Sequence, residues 1–203
     1  MPNLSIASIL PTTLRRLALL GATLLITGCA STFQLDNEVR SFSSLPAVPA
    51  NPAYRFERLP SQQHEQQTQI EAWADPALFR AGLKRDDAAP RYSVQVAARV
   101  QRILSPWADP WDGWGGGMGL FAAPGPYWMS PFGRMEQPWY RREASVILRE
   151  LATQKVVYES HAVSDGPWTD NAAVIPAMFD AALQGFPVAP QGVRRVNIQV
   201  PAR

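Results

Sequence analysis

The segment RYSVQVAARVQRIL, residues 91–104, has the clearest strand pattern in the chain. Its apolar positions recur every second residue, at Tyr92, Val94, Val96, Ala98 and Val100. Successive side chains of a strand point to opposite faces of the sheet, so this spacing predicts a strand with one face on a core.

Five further segments have the alternation or the β-branched and aromatic content of strands. They are STFQLDNEVRSF (31–42), YRFERL (54–59), WYRREASVILREL (139–151), KVVYESHAV (155–163) and VRRVNIQV (193–200). The three residues ATQ, 152–154, predict a tight hairpin between the third and fourth of these segments. The proline-rich stretch 45–53 is predicted to be a connector, because proline cannot donate to a strand ladder.

Two segments are predicted to be helical. In SQQHEQQTQIEAWADPALFRAGL, residues 61–83, Ser61 is the expected N-cap and Gly82 the expected end. Asp75-Pro76 is expected to break this helix into two pieces. Its apolar face is predicted at Ile70, Trp73, Ala77 and Phe79.

The second helix is DNAAVIPAMFDAALQGF, residues 170–186. Proline is tolerated in the first turn of a helix, so Pro176 places the expected start near Ile175. Its apolar face is predicted at Ile175, Phe179, Ala182 and Phe186. The predicted order is β-β-α-β-(long loop)-β-β-α-β, which indicates an α+β domain: a mostly antiparallel sheet with two helical segments packed on one face.

The N-terminal segment resembles a secretory signal. Arg15 and Arg16 precede an apolar run, residues 17–26, and small residues surround the single cysteine, Cys29. Ten residues of helix reach about 15 Å, whereas a hydrocarbon core is about 30 Å thick, so a permanent membrane span is not expected.

The junction Ile26-Thr27-Gly28-Cys29 resembles the lipobox of bacterial lipoproteins. The resemblance implies cleavage between Gly28 and Cys29, diacylation of the Cys29 thiol and usually acylation of the new amine. Residues 1–28 would then be the signal peptide, and 29–203 a single periplasmic domain. The alternative is a buried or free cysteine. Ala30, where an aspartate would favour the inner membrane, implies the outer membrane, facing the periplasm.

The composition after cleavage excludes several function classes. A chain of 175 residues is enough for one domain with a sizeable core. Loss of Arg15 and Arg16 leaves 17 basic residues against 17 acidic ones and no basic stripe, so nucleic acid is not an expected partner. With Cys29 acylated, no cysteine remains for a disulfide, a thiolate nucleophile or a metal cluster.

Four longer strings resemble bacterial lipoproteins of the domain-of-unknown-function family 4136. They are AYRFERLP (53–60), ALFRAGLKRDDAAPRYSVQVAARV (77–100), ASVILRELATQKVVYESHA (144–162) and MFDAALQGFPVAP (178–190). The resemblance covers residues 31–200 in outline. One departure is Arg91 after Pro90, where the family usually has aspartate. The resemblance implies the fold and an envelope location but no reaction.

A Trp-, Gly- and Pro-rich insertion occupies about residues 105–138. Three interpretations are open. In the first, part of the insertion folds over the sheet, with Trp107 and Trp139 as the best core candidates. In the second, the insertion is a contact surface for an envelope protein or a glycan, because aromatic residues are enriched at hot spots. In the third, it enters the membrane interface, although it lacks a cationic flank. The candidate binding residues are Trp111, Trp114, Phe121, Tyr127 and Trp128.

Catalytic and metal patterns are weak. His161, Ser164 and Asp165 are adjacent in sequence, whereas Ser-His-Asp triads assemble from distant segments. The favoured interpretation is a strand histidine followed by a turn.

The remaining candidates are weaker still. His64 has no second histidine at metal spacing, and Asp109 and Asp112 lie in a glycine-rich stretch. The string GWGGGMG, residues 113–119, lacks the lysine of a phosphate loop. We therefore expect no enzyme activity, no cofactor and no metal. The prediction is a membrane-anchored envelope lipoprotein acting as a scaffold or accessory, with a binding module as the alternative.

Overall fold

The computed structural model describes residues 32–107, 138–188 and 190–201. Residues 33–200 belong to one compact unit. The elements are β1 (Thr32–Ser43), β2 (Ala53–Phe56), α1 (Glu65–Arg80), β3 (Lys84–Arg85), β4 (Tyr92–Ile103), β5 (Trp139–Glu150), β6 (Val156–Gly166), α2 (Asn171–Leu183) and β7 (Val193–Pro201). A 3₁₀ helix, Pro60–Gln62, precedes α1.

The strands form one seven-stranded sheet in the order β3-β2-β4-β5-β6-β1-β7. The ladders β4–β5, β5–β6 and β1–β6 are antiparallel, whereas β2 runs parallel to β3 and β4. The α+β class and the mostly antiparallel sheet are therefore confirmed. The predicted order is confirmed only in part, because β3, two residues long, was not expected.

The β4–β5 ladder is the longest in the sheet and pairs both strands from end to end. Its register runs from Tyr92 opposite Glu150 to Ile103 opposite Trp139. The β5–β6 hairpin was predicted, and it turns through residues 151–155 with Gln154 in the left-handed region at φ 57°. The neighbouring strands on both sides hold β5 in place along its whole length.

Both helices cover the same face of the sheet. They contact each other, and α1 packs on β4 while α2 packs on β5 and β6. The core between them is apolar and includes Leu35, Val39, Leu78, Val94, Val146, Leu148, Tyr158, Met178 and Phe179. Fully burying one such side chain contributes roughly 1.5–3 kcal/mol, so this layer supplies most of the driving force for folding.

Helix α1 is continuous through Pro76, so the predicted break is wrong. Burial of Ala74, Ala77 and Leu78 against the core outweighs the hydrogen bond that proline lacks. The N-cap is His64, whose ring accepts from the Gln67 amide, rather than Ser61.

Two further predictions concern the end and the face of α1. The predicted end is confirmed, since Gly82 follows the helix at φ +92°. Phe79, predicted on the apolar face, is 67% exposed.

Helix α2 begins at Asn171, one turn before the predicted start near Ile175. Asp170 caps it by accepting from the amides of Ala172 and Ala173 at 2.9 and 3.2 Å. The predicted apolar face is confirmed for Ile175, Phe179 and Ala182, which are buried. Phe186, predicted on the same face, lies beyond the end of the helix at Leu183 and is half-buried.

Candidate functional site

The two ends of the sheet differ in what they carry. Strands β4, β5, β6 and β1 alternate in direction. The last residues of β4 and β6 therefore lie at the same end of the sheet as the first residues of β5 and β1. We call this the insertion end, since the connection between β4 and β5, residues 104–138, leaves and returns there. The opposite end, with the β5–β6 turn at residues 151–155, is the hairpin end.

Exposed apolar side chains follow the last residue of β4. Leu104 is 78% exposed and Trp107 is 85% exposed. The expectation that Trp107 is a core residue is therefore wrong, because the chain leaves the sheet after Ile103 and the Trp107 side chain is exposed to solvent. Trp139, the other core candidate, is half-buried at the start of β5. Its indole N–H has no hydrogen-bond partner in the part of the chain that the structure describes.

The start of β1 is held by an aromatic stack. Phe33 lies on the ring of Trp168, with centroids 4.0 Å apart and planes 25° from parallel. Gly166 permits this arrangement, since a Cβ there would lie 2.9 Å from Cδ1 of Trp168. Residue 33 is thus fixed to the body of the domain at the insertion end.

Arg142 is the largest fully buried side chain and lies beneath this end, only 2% exposed. Its Nε donates to Oδ1 of Asn171 at 2.9 Å, and its Nη2 donates to the Trp168 carbonyl. Burial lowers the pKa of this guanidinium, while the Tyr140 ring, 5.1 Å away, favours the charge. Arg142 therefore joins β5 to the loop and first turn of α2.

Two more buried polar side chains lie beside Arg142 on the core face of the neighbouring strands. Ser164 is its cross-strand neighbour on β6, and buried Asn37 follows on β1. The Asn37 amide donates to the carbonyls of Leu35 and Val196, each at 3.2 Å. Its Oδ1 is buried without a partner among the described residues. These polar contacts fix strand register under the insertion end.

The structure does not bring the candidate triad together. Ser164 points to the core face and donates to the Asp36 carbonyl at 2.8 Å. His161 and Asp165 lie on the open face, where His161 contacts Glu159 and Asp165 accepts from Arg141. Alternate faces of one strand cannot present a nucleophile and its base to each other. The expected turn after His161 is also wrong, because β6 continues to Gly166.

The other predicted catalytic and metal-binding residues have a structural role or lie outside the described residues. His64 caps α1. Among the described residues, no cluster of three or more His, Cys, Asp or Glu could hold a metal ion. Asp109, Asp112 and residues 113–119 lie outside the described residues.

The predicted lipid and loop residues also lie outside the part that the structure describes. They are Gly28, Cys29, Trp111, Trp114, Phe121, Tyr127 and Trp128. Within the described ranges, no helix is both long and apolar enough to cross a bilayer.

Two surface depressions stand out among the described residues. One, about 430 Å³, lies on the open face and is lined mostly by charged residues, including Asp36, Glu38, Arg141, Asp165 and Arg195. The other, about 470 Å³, lies beside α1 and β3, between Phe79, Leu83 and Pro76. Near the second, burial and a hydrogen bond to Asp75 raise the pKa of Tyr54. Neither depression groups a nucleophile with a base.

Sequence reasoning missed three features of the insertion end. The inward position of Arg142 could have been found, since it is in phase with Ala144, Val146 and Leu148 along β5. The Phe33–Trp168 stack joins residues far apart in sequence, and no local pattern indicates it. The exposure of Leu104 follows from where β4 ends, and strand ends are poorly defined by alternation.

The fold and the insertion end define a class: an α+β domain with a seven-stranded sheet and a Trp-rich connection between its two longest-paired strands. A family model described as a domain of unknown function, DUF4136, matches residues 38–188. The chain belongs to this family, as its sequence strings predicted. Comparison with curated proteins found no match.

Several solved structures are similar. One is a PDZ domain protein from Parabacteroides distasonis, at 13% identity and a TM-score of 0.47, covering 85% of this chain and 40% of that one. Two are PelC dodecamers from Paraburkholderia phytofirmans, at 12% and 11% identity and TM-scores of 0.42 and 0.43. Each covers 72% of this chain and 94% of its own. None of these similarities indicates a ligand or an activity for this chain.

Proposed function

We propose that this chain is a bacterial envelope lipoprotein, anchored through acyl groups on Cys29, that serves as a non-catalytic scaffold or accessory. Its mature part would begin at Cys29 and face the periplasm from the outer membrane. The observation that supports this most is the closeness of Cys29 to the first strand. Only residues 30 and 31 separate it from Thr32, where β1 begins.

The energetics of anchoring agree with this assignment. Each buried CH₂ of an acyl chain contributes about 0.8 kcal/mol, so one chain holds a protein marginally and two or three hold it stably. The stack of Phe33 on Trp168 fixes the chain four residues after Cys29. A folded body that begins so soon after the lipid stays close to the bilayer.

The test is substitution of the lipid-bearing residue. Cys29→Ser should abolish incorporation of an alkyne-bearing palmitate and leave the leader, residues 1–28, uncut. Ala30→Ser, which keeps the thiol, is the matched control and should behave as wild type. Unchanged palmitate incorporation in Cys29→Ser would contradict the proposal.

The outer-membrane location has its own test. Ala30→Asp places the inner-membrane retention residue after the cysteine, so it should shift the protein to the inner-membrane band of a sucrose gradient. Wild-type protein in that same band would contradict the outer-membrane assignment while leaving the lipid anchor intact.

A second candidate function is a binding module that contacts an envelope protein or a glycan through the Trp-rich insertion. The exposure of Leu104 and Trp107 where the insertion leaves β4 favours it. The Ile103–Trp139 pair would hold both stems of the insertion on a rigid ladder. Aromatic side chains offer large contact areas at low entropic cost.

Deletion of residues 113–131 tests the binding module. The shortened protein should keep most of its circular dichroism spectrum, because the deletion removes no residue of the described strands and helices, but lose its cross-linked envelope partners or its retention on peptidoglycan. The triple variant Trp111→Ala, Trp114→Ala and Trp128→Ala should reproduce the loss. Unaltered partners and retention in both variants would rule this function out.

A further inference from the structure

We propose that the insertion end of the domain rests on the lipid bilayer, with Leu104 and Trp107 in the interfacial region. This inference rests on the proposed acylation of Cys29 and goes beyond it, because it states which surface of the folded domain the membrane contacts. The ligand is the phospholipid surface itself.

The tether between the acylated residue and the folded domain is short. Phe33 is four residues after Cys29, and an extended chain spans at most about 3.3–3.6 Å per residue, so the reach is about 14 Å. Phe33 is fixed by its stack on Trp168, which places this attachment at the insertion end. The bilayer surface therefore lies within about 14 Å of that end.

The sheet is longer than the reach of the tether. Strand β4 has 12 residues and runs from the hairpin end to the insertion end. At about 3.4 Å per residue the two ends are roughly 35–40 Å apart, well beyond the reach of the tether. A domain held upright by this tether has its insertion end down and its hairpin end in the periplasm.

The tether alone also permits the domain to lie on its side, and the distribution of exposed side chains decides between the two orientations. Leu104 and Trp107 extend from the insertion end, with Val100 partly exposed just before them. Tryptophan is enriched at membrane interfaces, and contiguous exposed apolar groups mark contact sites. The open face of the sheet carries charged side chains, among them the Arg141–Asp165 pair near the insertion end, and a domain lying flat on this face would lose their hydration.

The hairpin end carries several exposed charged side chains, together with one exposed aromatic residue, Phe42. Arg91 pairs with Glu150 there, and exposed Lys155 closes the turn. Nearby, Arg85 pairs with Asp87 after α1. The tether therefore sets which end faces the bilayer, and the ion pairs at the hairpin end are compatible with that direction.

A fluorescent probe at each end tests the proposal in the full mature lipoprotein. Leu104→Cys places a thiol at the insertion end, and Ala152→Cys places one at the hairpin end, both at exposed positions. An acylated Cys29 does not react with maleimide, so each variant takes one environment-sensitive probe and wild type takes none. The labelled proteins are reconstituted in vesicles of phosphatidylethanolamine and phosphatidylglycerol, with or without nitroxide-bearing lipid.

The expected result is a blue shift at residue 104, with emission quenched by the nitroxide lipid and protected from aqueous iodide. The probe at residue 152 should show neither effect. Trp107→Cys gives a second insertion-end probe, in case the label at residue 104 perturbs its surroundings, and should behave like it.

Flotation of the same vesicles distinguishes a failure of the proposed orientation from a failure of the lipid anchor. Protein that floats while the residue 104 probe stays iodide-accessible overturns the orientation and leaves the lipid anchor intact. Protein that does not float overturns both. A probe that is exposed on vesicles but shielded in intact envelopes shows that a protein covers this end, which also overturns the lipid contact.

Discussion

The two ends of the sheet are made by the same strands yet are opposite in character. At the hairpin end, β5 and β6 are joined through residues 151–155, and Arg91, Glu150 and Lys155 surround the turn. At the insertion end, β4 and β5 are joined through residues 104–138, with exposed Leu104 and Trp107 above buried Arg142. The paired strands form the framework of the fold, and the difference between the two ends of the sheet indicates which end contacts other molecules.

The largest expected effect is removal of the polar support beneath the insertion end. Arg142→Ala should lower the free energy of unfolding by roughly 2–4 kcal/mol, because it leaves a cavity and unsatisfied acceptors at Asn171 and Trp168. Urea unfolding followed by tryptophan fluorescence measures the loss.

The matched control is the preceding residue on the same strand. Arg141 points to the open face and pairs with Asp165 in solvent, where an ion pair contributes little. Arg141→Ala should therefore shift the urea midpoint only slightly. Equal losses for the two variants would show that Arg142 does not support the insertion end in the way described.

A smaller effect is expected from loosening the start of β1. Phe33→Ala should lower the free energy of unfolding by about 1–3 kcal/mol, since it removes the stack on Trp168 and part of its buried area. Phe42, near the other end of β1, is 58% exposed, and Phe42→Ala should change stability by no more than about 0.5 kcal/mol. If thermal unfolding ranked Phe42→Ala as the more damaging change, the contrast between the two ends of β1 would be lost.

The smallest effect concerns a charge at the hairpin end. Hydrogen bonds from Arg91 and Thr153 hold the pKa of Glu150 below its ordinary value of 4.5. A carboxyl with a lowered folded-state pKa stabilises the protein above its unfolded pKa, and this stabilisation is lost as the pH falls through the folded-state pKa. Wild type should therefore lose slightly more stability on acidification than Glu150→Gln.

Urea midpoints measured at neutral pH and well below pH 4.5 check this difference, and added salt should reduce it because the pair is exposed. An identical acid sensitivity in the two proteins would mean that the Arg91–Glu150 contact does not persist in solution.

Much of the fold was predictable because alternation and periodicity are local signals. The six longer strands and both helices were expected, and burial of Tyr92, Val94 and Val96 on β4 followed from spacing alone. Val100, predicted on the same face, is 38% exposed near the end of the strand. The helix starts were less predictable. Pro76 predicted a break in α1, and Pro176 predicted a late start of α2. Packing of α1 on the core keeps that helix continuous, and the Asp170 cap lets α2 begin at Asn171.

The site was harder to predict because its contacts are long-range. The Arg142 contacts and the Phe33 stack depend on how β5, β1 and the loop before α2 are brought together. No spacing rule in the chain encodes those distances. The exposure of Trp107 likewise follows from tertiary geometry, since composition alone indicated a core residue as readily as a surface one.

Intact-mass spectrometry of the native protein, extracted from bacterial membranes in detergent, is the sharpest test of acylation at Cys29. We expect a chain that starts at Cys29 and carries the added mass of two or three acyl groups on that residue. A chain that retains residues 1–28, or one whose Cys29 has a free thiol that reacts with maleimide, would contradict it.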